Sequence, residues 1–161
     1  MKDYGVPQQK RLRLIVIASG PGESILPRFP EPTHGPGRLY PYMNIGDALK
    51  DIPKGTPGME IGGKRPTKGE AYPNTKFAKA IRSSSQQCHP DGGRTFNGRE
   101  IARLQGFPDE YTFDGSVKDV RLLIGNAVPV TFAKTMMRWL RGSVEEADYY
   151  EAALEAQMYQ A

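Results

Sequence analysis

The sequence predicts an α/β fold interrupted by a large irregular region, on three observations. The run LRLIVIA, Leu12 to Ala18, is rich in branched aliphatics with Arg13 its one polar member, and reads as a strand buried on both faces after its first residues. Much later come two punctuated helical stretches, TFNGREIARLQGFPD and VTFAKTMMRWLRG. Between strand and helices, Gly20 to Pro73 is dense in proline and glycine, which breaks long elements and forces turns.

Taken in order, the strand stops at SGPGES and needs sheet neighbours that the few residues before it cannot supply. Inside the irregular region, NIGDALKDIP predicts one short helix: Asn44 caps, Ala48 and Leu49 give an apolar patch, and Pro53 stops the run. Apolar Leu39, Tyr40, Tyr42, Met43 and Ile45 mark this region as a small subdomain rather than a linker. In the next helix Asn97 and Glu100 have capping-box spacing, Ile101 and Leu104 share a face, and Gly106 with Pro108 ends it. Arg99 and Arg103, four apart, are expected side by side on its exposed face, either solvated or as a clamp for a phosphate or carboxylate. After Leu122 to Ile124, Gly125 and Asn126 favour a tight turn. A helix from about Thr131 to Arg141 then stacks Phe132, Met136 and Leu140, and Gly142 ends it. The methionines and Trp139 suit core packing. Ser143 and Glu146 predict a second capping box for a final acidic helix.

The 161 residues have room for one domain, since domains run roughly 100 to 200 residues. A net charge of +4, with basic residues crowded before Arg103 and acidic ones after Glu145, suits a polyanionic partner bound away from the carboxy terminus. Cys88 is the only cysteine, and with His89 adjacent and His34 distant there is no zinc spacing. A reducing, intracellular setting without metal follows. The LIVIA run is shorter than the ~7 to 15 apolar residues of a secretory signal core, and no segment approaches membrane length. There is no nucleophile with a paired base, no GxxxxGK phosphate loop and no GxGxxG.

Three spaced segments, however, together resemble the carboxy-terminal part of the DNA cytosine-5 methyltransferases. YGVPQQKRLRLIVIA looks like motif VIII, tyrosine-glycine-valine-proline followed by QxRxR and a strand. The QxRxR register of Gln9, Arg11 and Arg13 carries one glutamine more than the family's spacing. An alternative opens at Gln8 and sets Lys10 and Leu12 at the arginine positions. HPDGGRTFNGREIARLQGFPDEYTF resembles motif IX, matching at His89, Pro90, Arg94, Arg99, Glu100, Ala102, Arg103, Leu104, Gln105, Phe107, Pro108 and Asp109. Phe96 stands for the usual leucine and Asn97 for the usual threonine, which Asn replaces well as a cap. IGNAVPV, Ile124 to Val130, resembles motif X. FPEPTHG followed by PYMNIGDALKDIP also looks like a stretch that some of these enzymes carry after motif VIII.

The resemblance implies a partial S-adenosylmethionine-dependent, Rossmann-like methyltransferase domain and an irregular α+β target-recognition subdomain. Residues 1–19 would end the catalytic domain, 20–88 would read the target, 89–142 would return to the catalytic domain, and 143–161 would form the acidic helix. In the family, a cysteine thiolate attacks carbon 6 of a flipped cytosine, a glutamate assists at the ring nitrogen, and carbon 5 takes the methyl group. The proline-cysteine-glutamine and glutamate-asparagine-valine motifs are absent here, and Cys88, in SSSQQCHPD, has no proline before it. No catalytic residue is therefore assigned. By resemblance Gln9, Arg11 and Arg13 would contact DNA, and Arg94, Arg99, Glu100 and Gln105 would organise the recognition region against the catalytic domain. Asn126, Ala127 and Val128 would finish the S-adenosylmethionine pocket. The expected partners are double-stranded DNA and a second chain carrying the catalytic motifs, with no membrane; the nucleus of a eukaryote or the nucleoid of a bacterium is the implied location.

Overall fold

The structure, a computed structural model, describes residues 1–8, 13–18, 20, 29–63, 71–82 and 87–158. Four α-helices appear among them: α1 (Ile45–Leu49), α2 (Gly98–Leu104), α3 (Val117–Asn126) and α4 (Val130–Met158). Two compact units divide the chain, one of residues 1–11 and 32–132 and a second of 12–31 and 133–161.

The first unit is built around α2, a helix of only seven residues. Too short to hold itself, it is stabilised at both ends and buried almost all round. At its start Asn97 accepts from Glu100 N while Glu100 accepts from Asn97 N, closing the expected box. Gly98 N donates to Ile61 O at 2.7 Å and Arg99 N to Gly58 O at 3.1 Å, so the remaining first-turn donors are met by the loop against which the helix starts. That approach requires glycine: a Cβ on Gly98 would lie 2.9 Å from Ile61 Cβ and 3.0 Å from Gly58 O. At its end Gly106 sits at φ 79°, Gly106 N donates to Arg103 O and Phe107 N to Ala102 O, a Schellman closure. Ile101, Ala102 and Leu104 of α2 join Ile45, Ile61, Ala78, Ile81, Phe96, Val120 and Ile124 in one core. α1, with its Asn44–Asp47 capping box, packs on α2, as does α3.

Three sequence expectations need correction. Gly125 and Asn126 do not make a tight turn; they finish α3, which Ser116 and Asp119 cap with a third box. Nor does Gly142 end a helix or Ser143 start one. α4 passes through both, and Ser143 Oγ donates back to Trp139 O at 3.0 Å, the arrangement open to a mid-helix serine. Finally, no strand is assigned over 13–18, and Leu12 lies outside the described residues. Leu14 is 90 % and Val16 78 % exposed, while Ile15 and Ile17 are half-buried. The alternation has the period of a strand, but no described segment pairs with it. In the second unit, Phe29 stacks on Trp139 with ring centroids 5.9 Å apart.

Candidate functional site

The deciding geometry is a chain of side-chain amides inside the first unit. Gln8, 1 % exposed, donates from Nε2 to Leu104 O at 2.9 Å and to Gln105 Oε1 at 2.7 Å. Its own Oε1 accepts from Ile81 N at 3.2 Å. Gln105, fully buried, donates onward from Nε2 to Ile124 O at 2.7 Å and to Ala127 O at 3.3 Å, and its carbonyl accepts from Val130 N. Two primary amides therefore join the YGVPQ, REIARLQGFPD and IGNAVPV segments through buried hydrogen bonds, each costly to leave unmade.

A second cluster holds the start of α2. Arg94 grips Glu100 through two bonds of 2.8 Å, which raise the Arg94 pKa. His89, buried, brings Nε2 to 3.3 Å from Glu100, and its Nδ1 accepts from Asp91 N at 3.1 Å. The same Nδ1 lies 3.1 Å from Asp91 Oδ2, so the ring is held between two carboxylates. Burial pushes the His89 pKa down, against the pull of Glu100.

Arg99 and Arg103 differ from the paired, exposed cations expected. Arg99 is fully buried and donates to Pro57 O at 2.6 Å, Pro108 O at 2.8 Å and Tyr111 O, its guanidinium 5.7 Å from the Phe113 ring. It pins the FPDEYTF loop to the segment at Pro57, as a planar group with several fixed donors can. Arg103 turns to Asp109, bonding both carboxylate oxygens, and to Lys50 O. The carboxylate clamp exists, but its carboxylate is the chain's own. Both arginines serve architecture.

Of the remaining site residues, Gln9 and Arg11 lie outside the described residues, and Arg13 is exposed in the second unit. Asn126 and Val128 are exposed at the break between α3 and α4, while Ala127 is tied by its backbone to Leu123 O and Gln105. Gln8, which the sequence reading held open as the alternative first glutamine of QxRxR, is the amide hook, and His89, a motif IX match with no assigned role, is the second partner of Glu100. The only signal for Gln8 was its place directly after YGVP. Arg121, whose Nη2 donates to Phe96 O at 2.8 Å, carried none.

The family model for C-5 cytosine-specific DNA methylases matches residues 58–141, a span holding α2, α3 and the Gln105 hub. The chain belongs to the C-5 cytosine-specific DNA methylases. It is 30% identical over 196 aligned residues to the type II methyltransferase M.NgoFVII of Neisseria gonorrhoeae, covering 95% of this chain and 52% of that protein. To the type II methyltransferase M.BbvI of Brevibacillus brevis it is 29% identical, covering 92% of this chain and 48% of the relative. DNA (cytosine-5)-methyltransferase 3 of Arabidopsis thaliana is 49% identical over 53 residues, a third of the chain. The chain spans about half the length of the first two of these methylases. Members of the family use S-adenosylmethionine as methyl donor and act on DNA. Among the described residues no helix is long and apolar enough to cross a membrane.

Proposed function

We propose that this chain is the carboxy-terminal portion of a DNA cytosine-5 methyltransferase, which as a whole transfers methyl from S-adenosylmethionine to carbon 5 of cytosine in DNA. The observation that carries this reading is the Gln8–Gln105–Ala127 amide chain, which gives the three motif segments one buried junction. In this reading Gln9, Arg11 and Arg13 face DNA, residues 20–88 read the target, and Arg94, Arg99, Glu100 and Gln105 hold that region to the Rossmann-like catalytic part. The exposed Asn126, last residue of α3, and Val128, at the α3–α4 break that Gln105 ties through Ala127 O, would line the rim of a cofactor pocket. There S-adenosylmethionine would supply the methyl group.

The chain by itself binds without catalysing. Its only cysteine, Cys88, has no proline before it, and the adjacent His89 ring is engaged by Glu100 and Asp91, so Cys88 is not assigned as the nucleophile. The same observation favours a second reading, a non-catalytic DNA-binding protein or one subunit of a split methyltransferase.

Tritiated methyl transfer tests these readings. The purified chain should label duplex DNA no more than background, and addition of a polypeptide carrying the proline-cysteine-glutamine and glutamate-asparagine-valine motifs should restore labelling at carbon 5. Labelling by the chain alone overturns the assignment of no catalysis. Failure of every complementing polypeptide leaves the DNA-binding reading in possession.

A further inference from the structure

Residues 33–40, THGPGRLY, form a closed loop whose backbone is held far more tightly than its side chains are covered. Gly35 N donates to Tyr40 O at 2.9 Å, Tyr40 N to Thr33 O at 3.0 Å and Arg38 N to Gly35 O at 3.1 Å. Its base is fastened to the amino-terminal turn: Thr33 N and His34 N both donate to Asp3 O at 3.0 Å, and Tyr42 OH donates to Asp3 Oδ1 at 3.2 Å. Two close approaches admit only glycine. A Cβ on Gly5 would meet the His34 ring at 2.8 Å, and one on Gly35 the Tyr42 ring at 3.0 Å. Yet the crown is in solvent: Leu39 is 77 % and Tyr40 52 % exposed, with Arg38 exposed beside them.

The Tyr40 ring rests against the His34 ring, centroids 5.2 Å apart, yet leaves about half its surface in solvent beside Leu39, and apolar side chains held out on a rigid support mark contact surfaces. The loop lies outside residues 58–141, the part matched by the family model, and begins in the FPEPTHG stretch that resembles one carried by some of these enzymes after motif VIII. It is mounted on residues 3–5, immediately before Gln8, so it shares a footing with the motif VIII segment. Residues 1–103 hold 17 of the 22 Lys and Arg but only 9 of the 18 Asp and Glu, which favours a polyanion over an acidic or neutral protein surface.

We propose that the tip Arg38–Leu39–Tyr40 is a preorganised DNA-reading element of this methylase, deepening the DNA-binding reading above and resting on it. Each side chain has a matching chemistry on a duplex. A guanidinium pairs with guanine O6 and N7 or with phosphate, a leucine contacts a thymine methyl or wedges at a base step, and a tyrosine ring stacks. Because the backbone is already fixed, little ordering cost is left for the moment of binding.

The test uses the full chain and a pool of random-sequence duplexes, with binding and selected sequences compared for the wild type, Arg38→Ala and Leu39→Ala. Both side chains are exposed, so the unfolding transitions should coincide. Each variant should lose about tenfold in affinity, or lose the wild-type preference at one or two base pairs. If Arg38 reaches phosphate, the slope of log affinity against log salt should also flatten by about 1. Variants that keep wild-type affinity within about twofold and the same base preference overturn the loop proposal while leaving the DNA-binding reading intact. A wild type that binds none of the pool at low salt overturns that reading, and the loop proposal with it.

Discussion

Gln8 and Gln105 are the two side chains on which the junction of the motif segments rests, and both are buried beyond the reach of compensating water. Gln8→Ala removes the donor to Leu104 O and Gln105 Oε1 and the acceptor for Ile81 N. Each buried group left unmade costs roughly 1–3 kcal/mol, so a loss of about 2–4 kcal/mol is expected by urea unfolding. A change below about 0.5 kcal/mol, the range of ordinary surface substitutions, would count against the amide chain. Arg99→Lys keeps the charge but cannot serve the carbonyls of Pro57, Pro108 and Tyr111 from one plane; a loss of about 2 kcal/mol or more is expected, read the same way. His89 supplies a pH dependence. Its folded-state pKa lies below the ordinary value because burial disfavours the cation, so the folded state binds fewer protons than the unfolded one. Its stabilising share is complete above the unfolded pKa of about 6.5 and is lost as pH falls from there toward the folded value. His34 is shifted in the same direction by burial. Denaturation midpoints should therefore drop between neutral and mildly acid pH, and His89→Gln should remove part, not all, of that drop.

At the scale of elements, the helices differ in how local their determinants are. α1 and α2 were legible in the sequence because their boundaries are set within a few residues: Asn44 with Asp47, Asn97 with Glu100, and Gly106 in the left-handed region. α3 was not read, although Ser116 and Asp119 stand at capping-box spacing; Gly125 and Asn126 suggested a turn, and burial of Val120 and Ile124 outweighed that local preference. Gly142 misled for the same reason in reverse. A glycine ends a helix when it turns left-handed, and Gly142 is not among the glycines of positive φ. Nothing lies within 4 Å of a Cβ built there. Gly142→Ala should thus stabilise the chain by about 0.5–1 kcal/mol; a destabilised variant in thermal unfolding would restore the broken helix that the sequence suggested. Of the candidate site, the presence of Arg94, Arg99, Glu100 and Gln105 in one motif was readable. That Arg99 would turn inward to carbonyls at positions 57, 108 and 111 was not, because those partners are fixed by tertiary folding.

For the whole molecule, family membership rests on a matched span that contains the packed core of α2 and α3, while the strand-like run over 13–18 holds leucine and valine in solvent. Charge is divided along the chain, with Lys and Arg dominant up to Arg103 and acidic residues dominant beyond. That asymmetry and the methylase family together support duplex DNA as the proposed partner, and binding by phosphate neutralisation has a signature that folding defects do not imitate. The most direct measurement is the equilibrium affinity of the 161-residue chain for duplex DNA over a range of salt concentrations. Log affinity should fall linearly with log salt, with a slope of about −3 or steeper, corresponding to three or more neutralised phosphates. No binding at low salt, or an affinity indifferent to salt, would contradict the account.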